Sequence, residues 1–169
     1  MPAEYTFHAI GTIHSPFEEI RQMPIQPAGA QGVRGKVCLA PCYSDGLADL
    51  EGFSHIILIY AFHRSRGFDL KVVPFLDTRE RGLFATRAPR RPNPIGISVV
   101  ELIAVQPPEL IIANVDVLDG TPLLDIKPYA PQLDGARDIR TGWLTHKGGQ
   151  AARHRSDDRF KDIPQGRKI

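Results

Sequence analysis

Apolar positions recur with a two-residue period in six stretches of the chain, the spacing of strands that bury one face. "YTFHAIGTI" (Tyr5–Ile13) alternates bulky with small or polar residues, and "GKVCLA" (Gly35–Ala40) repeats the pattern more briefly. "SHIILIYAF" (Ser54–Phe62) is so rich in β-branched and aromatic residues that it reads as a strand buried on both faces. "GISVVELIAV" (Gly96–Val105) and "LIIANVDVL" (Leu110–Leu118) flank the turn-forming "QPPE", which predicts a hairpin. "PLLDIKPY" (Pro122–Tyr129) supplies the last strand. One short helix is predicted after Ser44 as its cap, with Asp45 in the first turn and Gly52 as its stop.

Fifteen glycines and fifteen prolines cut the chain into pieces too short for long helices. No strand leads through a GxGxxG turn into a helix, which argues against a doubly wound nucleotide-binding sheet. The expected fold is mostly β: a single antiparallel β-barrel-like domain with short helices, closure being the means by which short strands lose their exposed edges. That domain is assigned to residues 1–135. Residues 136–169 read as a polar, basic C-terminal extension, a docked stretch around Trp143 and Leu144 followed by a mobile end.

Composition changes this picture little. A chain of 169 residues with 42% hydrophobic content can bury a real core. The formal net charge is only +2, yet residues 79–91 gather five arginines against one glutamate, and the chain from Arg137 onward holds nine Lys/Arg against four acids. Clustered positive charge suits a polyanionic partner, although solvated basic faces have the same appearance. Two cysteines, Cys38 and Cys42, stand without a second pair of metal-ligating residues at suitable spacing, so neither a disulfide framework nor a metal site is expected. Few thiols fit a reducing, cytoplasmic setting. The first residues show no signal-peptide pattern, and the longest apolar run, His55–Phe62, is too short to cross a bilayer, so no membrane partner is expected.

Three segments carry candidate chemistry. In "TRAPRRPNPIGIS" (Thr86–Ser98) successive prolines hold Arg91-Pro92-Asn93-Pro94 extended, and Gly96 permits a tight turn or the close approach of a ligand. A preordered loop bearing Arg87, Arg90, Arg91 and Asn93 suits forked hydrogen bonds to an anion; a rigid connector with exposed arginines is the alternative. In "VLDGTPLLDIKPY" (Val117–Tyr129) the first half is turn chemistry. In its second half Asp125, Lys127 and Tyr129 share one face of an extended strand, as a proton-transfer set or as a surface ion pair. "IGTIHSPF" (Ile10–Phe17), followed by "MPIQPAGAQGVRG" (Met23–Gly35), offers a glycine-rich loop that lacks the lysine and spacing of a P-loop.

In this order, "IGTIHSPF", "LEGFSHIILIYAFH", "GLFATRAPRRPNPIGISVVEL" and "DGTPLLDIKPY" resemble the TrmO (TsaA-like) family over Phe7 to Asp134. The resemblance implies a β-barrel, S-adenosyl-L-methionine-dependent methyltransferase. Its substrate would be the 6-amino nitrogen of threonylcarbamoyl-adenosine at tRNA position 37, in the anticodon loop. It further implies a homodimer with the cofactor near the subunit contact. Carried over by motif, Pro24, Ile25, Gln26, His63, Arg64, Arg87, Ile97, Asp116, Val117, Leu118 and Asp119 would line the cofactor. Asp125 would orient or accept the acceptor's proton, while Lys127 and Tyr129 would fix the nucleoside. Arg90, Arg91 and Asn93 would grip the anionic substrate. Phe84 and Tyr129 are candidates to receive an extruded base, Phe84 reading more readily as core. Two departures bear on the choice of RNA: Ser65–Asp77 is short for the family, and little chain follows "DIKPY". Methyl transfer to another RNA or a small molecule, and a cofactor- or RNA-binding barrel without catalysis, are the alternative readings.

Overall fold

A computed structural model describes residues 3–21, 23–136, 138–145 and 147–160. Eight strands are present among the described residues: β1 (Gly11–His14), β2 (Arg34–Leu39), β3 (His55–Ala61), β4 (Lys71–Val72), β5 (Arg81–Gly82), β6 (Ile95–Gln106), β7 (Glu109–Ala113) and β8 (Thr121–Pro128). Six of them close into an antiparallel barrel in the order β1-β2-β7-β6-β3-β8, while β4 and β5 form a separate ribbon. Closure leaves the barrel with no unpaired edge. Among the described residues no helix is long and apolar enough to cross a membrane.

The alternation read from the sequence fills the barrel. Ile13, Val37, Ile56, Leu58, Val100, Leu110, Ile112 and Leu123 point inward and are buried, with Leu47 and Val115 packed against the same cluster. β3 alternates throughout instead of being buried on both faces, its outward residues being only partly covered among the described residues. Ile59 pairs across the ladder with Ile97 and Ile57 with Val99, so these residues form a half-exposed apolar outer face.

Several boundaries differ from the sequence expectation, each for a local reason. The first strand is confined to Gly11–His14; β2 gives way to Pro41, and only Ile10 still bonds on both sides, to Leu123 and Ala40. The "QPPE" hairpin forms as predicted, with Gln106 opposite Glu109. Its second strand stops at Ala113, because Asn114 turns left-handed (φ 64°) and accepts a bond from the Gly32 amide at 2.8 Å. The helix expected after Ser44 is two 3-10 turns, Pro41–Leu47 and Leu50–Gly52, separated by left-handed Asp49. Pro41 starts the first, its fixed φ suiting the opening position, and Ser44 lies inside it.

The C-terminal segment is docked well past Trp143 and Leu144. Phe160 is buried with Val72, Leu83 and Ala88 in a second small core, edge-on to Phe75 at 5.0 Å. Trp143 Nε1 donates to the Ala85 carbonyl at 2.8 Å, and Arg81 lies over its ring. Ser156 donates its amide to Met23 O at 2.8 Å and its hydroxyl to Ile20 O. Lys147 reaches Asp77 at 2.5 Å. The basic end after Phe160 lies outside the described residues.

Candidate active site

The site is built on the end of the barrel where β3 finishes and β6 and β8 begin. After Asn114, residues Val115–Leu118 cross this opening, and Gly120 (φ +74°) turns the chain into β8. Ser15 Oγ donates to Val117 O at 2.6 Å, and Asp119 takes the Ser15 amide at 3.1 Å and faces His14 Nδ1 at 3.0 Å. The Ser-Pro turn after β1 is thereby fastened to the crossing loop. The Ser15 amide, then His14, holds the Asp119 carboxyl below its usual pKa.

The arginine-rich loop closes on itself. Thr86 Oγ1 donates to Leu83 O at 2.7 Å and accepts the Ala88 amide at 3.3 Å. Arg91 donates to the carbonyls of Thr86 (3.0 Å) and Ala88 (3.3 Å), with its guanidinium over Phe84. Arg90 turns the other way and pairs with Asp69 at 3.3 Å. Arg87 reaches across to the loop before β2, donating to Gln26 Oε1 at 3.0 Å. Gly96 lies within β6 and forms no turn: it faces Tyr60, and an added Cβ would sit 2.2 Å from that ring.

These elements and the C-terminal segment enclose a cavity of about 780 Å³. Pro24, Ile25, Gln26, His63, Arg64, Arg87, Ile97, Asp116, Val117 and Leu118 all line it, as does Arg91. Asp119 lies behind the wall it fastens, and Arg90 and Asn93 are outside the lining. Phe84, read as core, is 75% exposed and borders the cavity. The proposed catalytic set does not reach it. Asp125 and Lys127 pair with each other at 2.8 Å. They sit opposite Ile59 and Ile57, on the outer face of the barrel. Tyr129 follows the end of β8, its amide bonded to His55 O.

The sequence reading missed the polar chain at the cavity floor. Tyr60 on β3 donates to Ser98 Oγ on β6 at 3.0 Å, and Ser98 donates its one proton to Asp116 Oδ1 at 2.6 Å. All three are buried. Burial pushes the Asp116 carboxyl up to about 6, against the opposing pull of the Ser98 hydroxyl, its own backbone amide and the Arg87 charge. Burial, followed by the Asp116 charge, raises the Tyr60 phenol beyond the reach of neutral pH. Burial and then Arg64 lower the His63 pKa, which favours the neutral imidazole. The one available signal was Ser98, a hydroxyl on the inward row that also carries Val100 and Leu102. Trp143, Leu144, Ala151 and Phe160 complete the wall from the C-terminal segment. Among the described residues no cluster of His, Cys, Asp and Glu is arranged to hold a metal.

Comparison with known proteins agrees with this architecture. The family model for the tRNA-methyltransferase O N-terminal domain matches residues 12–135. A probable S-adenosyl-L-methionine-binding protein of Pyrococcus abyssi is 49% identical over 160 residues, covering 95% of this chain and 87% of that protein. The tRNA (adenine(37)-N6)-methyltransferase of Escherichia coli is 36% identical over 151 residues, covering 83% of this chain and 64% of that protein. The crystal structure of TrmO from Pseudomonas aeruginosa superposes with a TM-score of 0.71 at 38% identity, over 83% of this chain and 63% of that one. The chain thus spans just under two thirds of the E. coli and P. aeruginosa proteins. By family model, sequence identity and barrel architecture alike, it belongs to the TrmO family.

Proposed function

We propose that this chain is an S-adenosyl-L-methionine-dependent methyltransferase that methylates the 6-amino nitrogen of adenosine 37 in tRNA, the base bearing a threonylcarbamoyl group. The observation that carries the reading is convergence. Pro24–Gln26, His63–Arg64, Arg87, Ile97 and Asp116–Leu118 come from five separate stretches of sequence and line one cavity. Its volume of about 780 Å³ is that of a small-molecule site. The cofactor supplies a methyl group on a sulfonium, so the protein's main task is to align acceptor and donor. Apolar Ile25, Ile97 and Val117 provide the walls, while Gln26, Arg87 and the backbone of Asp116–Leu118 provide the polar contacts that fix orientation.

Exposed Arg87, with the remaining N–H groups of Arg91, would meet a phosphate- and carboxylate-bearing loop at the cavity, while Arg90, turned toward Asp69, and Asn93 stand outside the lining and would grip it further away. Phe84, exposed beside the Arg91 guanidinium, is a stacking surface for a base drawn out of its helix. The half-exposed isoleucines of β3 and β6 support a homodimer, since the apolar face runs directly into the cavity through Ile95 and Ile97. Asp125 and Lys127 share that face, so their role in holding the nucleoside is assigned to the copy across the dimer. A tRNA substrate and the free thiols of Cys38 and Cys42 suit a cytoplasmic location.

The decisive experiment incubates the full chain with isotopically labelled cofactor and tRNA, with and without the threonylcarbamoyl group, and analyses the nucleosides by mass spectrometry. Label in N6-methylated adenosine 37 is expected, with binding that weakens steeply as salt rises. Absence of label from every tRNA would sink the reading.

A further inference from the structure

Among the buried polar groups, Asp116 is the one whose environment is hardest to explain by folding. It lies on the loop between β7 and β8, is 9% exposed, and lines the cavity. Its Oδ1 takes the Ser98 proton at 2.6 Å. Its own backbone amide is the other donor to the carboxylate, and Arg87 acts on it only through its charge. A carboxylate buried with so few donors and no ion-pair partner among the described residues destabilises a fold.

The donor order of the chain is fixed. Ser98 has a single proton and places it on Asp116, so its oxygen is left to accept from Tyr60. The carboxylate is therefore held in one orientation from behind, through two strands of the barrel wall, while the cavity it lines lies in front of it. Such a group has a fixed position and, with two donors shared by two oxygens, lone pairs to spare, the requirements of a general base.

We infer that Asp116 takes up the proton that the acceptor nitrogen must lose, with Ser98 and Tyr60 as its positioning residues. The inference rests on the methyltransferase reading above. In the step, the lone pair of the 6-amino nitrogen forms the new N–C bond as the methyl's C–S bond breaks. The electron pair of that bond stays on sulfur, which becomes a neutral thioether. The nitrogen's proton passes to Oδ2 of Asp116, and then to water once the product leaves. An acceptor nitrogen conjugated with a purine ring and a carbonyl is a poor nucleophile, and proton removal is the help it needs most.

Burial pushes the Asp116 carboxyl up to about 6, low enough for it to be ionised at neutral pH and high enough to bind a proton well. The titratable and charged groups that share its cavity are Tyr60 on β3, His63 and Arg64 beyond the end of β3, and Arg87 and Arg91 across the opening. His63 also titrates below its usual value, so a pH profile of the wild type alone would not separate the two. Ser98 does. Its hydroxyl stabilises the ionised form of Asp116 and touches neither His63 nor Arg64.

The test uses the full chain, single-turnover methylation of tRNA at saturating cofactor, and calorimetric cofactor binding. The wild type is expected to gain rate as pH rises through about 6 and then level off. Asp116→Asn should lose about 10²–10⁴-fold in rate, bind cofactor within about threefold of wild type, and no longer show that rise. Ser98→Ala should move the rise to higher pH, and Tyr60→Phe should move it less in the same direction. Asp116→Asn at near-wild-type rate overturns the inference. So does a large loss of cofactor affinity with an unchanged saturated rate, which would make Asp116 a cofactor ligand, or a pH rise that ignores Ser98→Ala. Failure of the wild type itself to methylate any tRNA defeats the functional reading and this inference together, whereas an active wild type with an active Asp116→Asn defeats this inference alone.

Discussion

Two buried aspartates, one next to the cavity-lining Phe75 and Leu76 and the other in the lining itself, have opposite fates. Asp77 is 7% exposed and Asp116 9%, so burial alone does not distinguish them. Asp77 receives Lys147 at 2.5 Å, two guanidinium nitrogens of Arg81 at 2.7 and 2.9 Å, and the amides of Thr78 and Arg79. Lys147 and then Arg81 hold its carboxyl well below the usual range. Asp116 receives one hydroxyl and its own backbone amide, too little to offset burial, and is pushed up. A carboxylate surrounded by donors stabilises the ordered state, while one kept short of donors is set aside for chemistry. The first fastens the C-terminal segment; the second waits at the floor of the site that the segment walls.

The largest effect that would break this contrast is on rate. Should Asp116→Asn methylate as fast as wild type, the two carboxylates are not divided between structure and chemistry. Next comes Asp77→Ala, which leaves Lys147 and Arg81 without their shared anion and frees the segment that carries Trp143 and Phe160. We expect a melting temperature lower by several degrees and weaker cofactor binding, both read by thermal scanning with and without cofactor. A depressed folded pKa contributes stability above the unfolded value near 4 that is lost as pH falls below it. The difference between Asp77→Ala and wild type should therefore shrink on acidification below about pH 4.

Asp116 predicts the reverse sign. Its folded carboxyl is raised above the unfolded value, so the native state binds the extra proton between about pH 4 and 6 and loses stability as pH climbs through that window. Asp116→Asn should therefore be more stable than wild type by about 1–3 kcal/mol at pH 7.5, with no gain below pH 4, as denaturant titrations at both pH values would reveal. A stabilised but inactive variant would sharpen the comparison most. Gly96→Ala should cost about 1–3 kcal/mol, because its new methyl meets the Tyr60 ring, and should slow methylation through the displaced Tyr60–Ser98–Asp116 chain. The smallest effect belongs to Arg87→Gln. Loss of that charge removes one of the forces that favour ionised Asp116, and the rise in rate with pH should move slightly upward.

Alternation along the sequence made the barrel legible, because inward and outward rows differ in every long strand. It did not tell which strands are only partly covered on the outside, so β3 read as fully buried and its outer isoleucines were overlooked. Asp125 and Lys127 do share a face, as their spacing required, but only the register against Ile59 and Ile57 reveals that it is the outer one. Most of the residues carried over by family motif do line the cavity, although they make up less than half of its wall. The Asp116–Ser98 bond joins residues 18 positions apart across a turn, and Asp77–Lys147 joins residues 70 apart, so neither could be found by spacing. The C-terminal wall was hidden by its polar composition, which conceals the few apolar residues that dock it.

That wall has a consequence for biosynthesis. Pro24 forms an isolated bridge with Arg155, and Met23 accepts the Ser156 amide, so the front loop of the cavity is tied to residues made some 130 positions later. A ribosome-bound chain can close the barrel as soon as β8 emerges and still lack one side of its pocket. Among the described residues, the wall that Phe160 completes is therefore the last part of the pocket to be made.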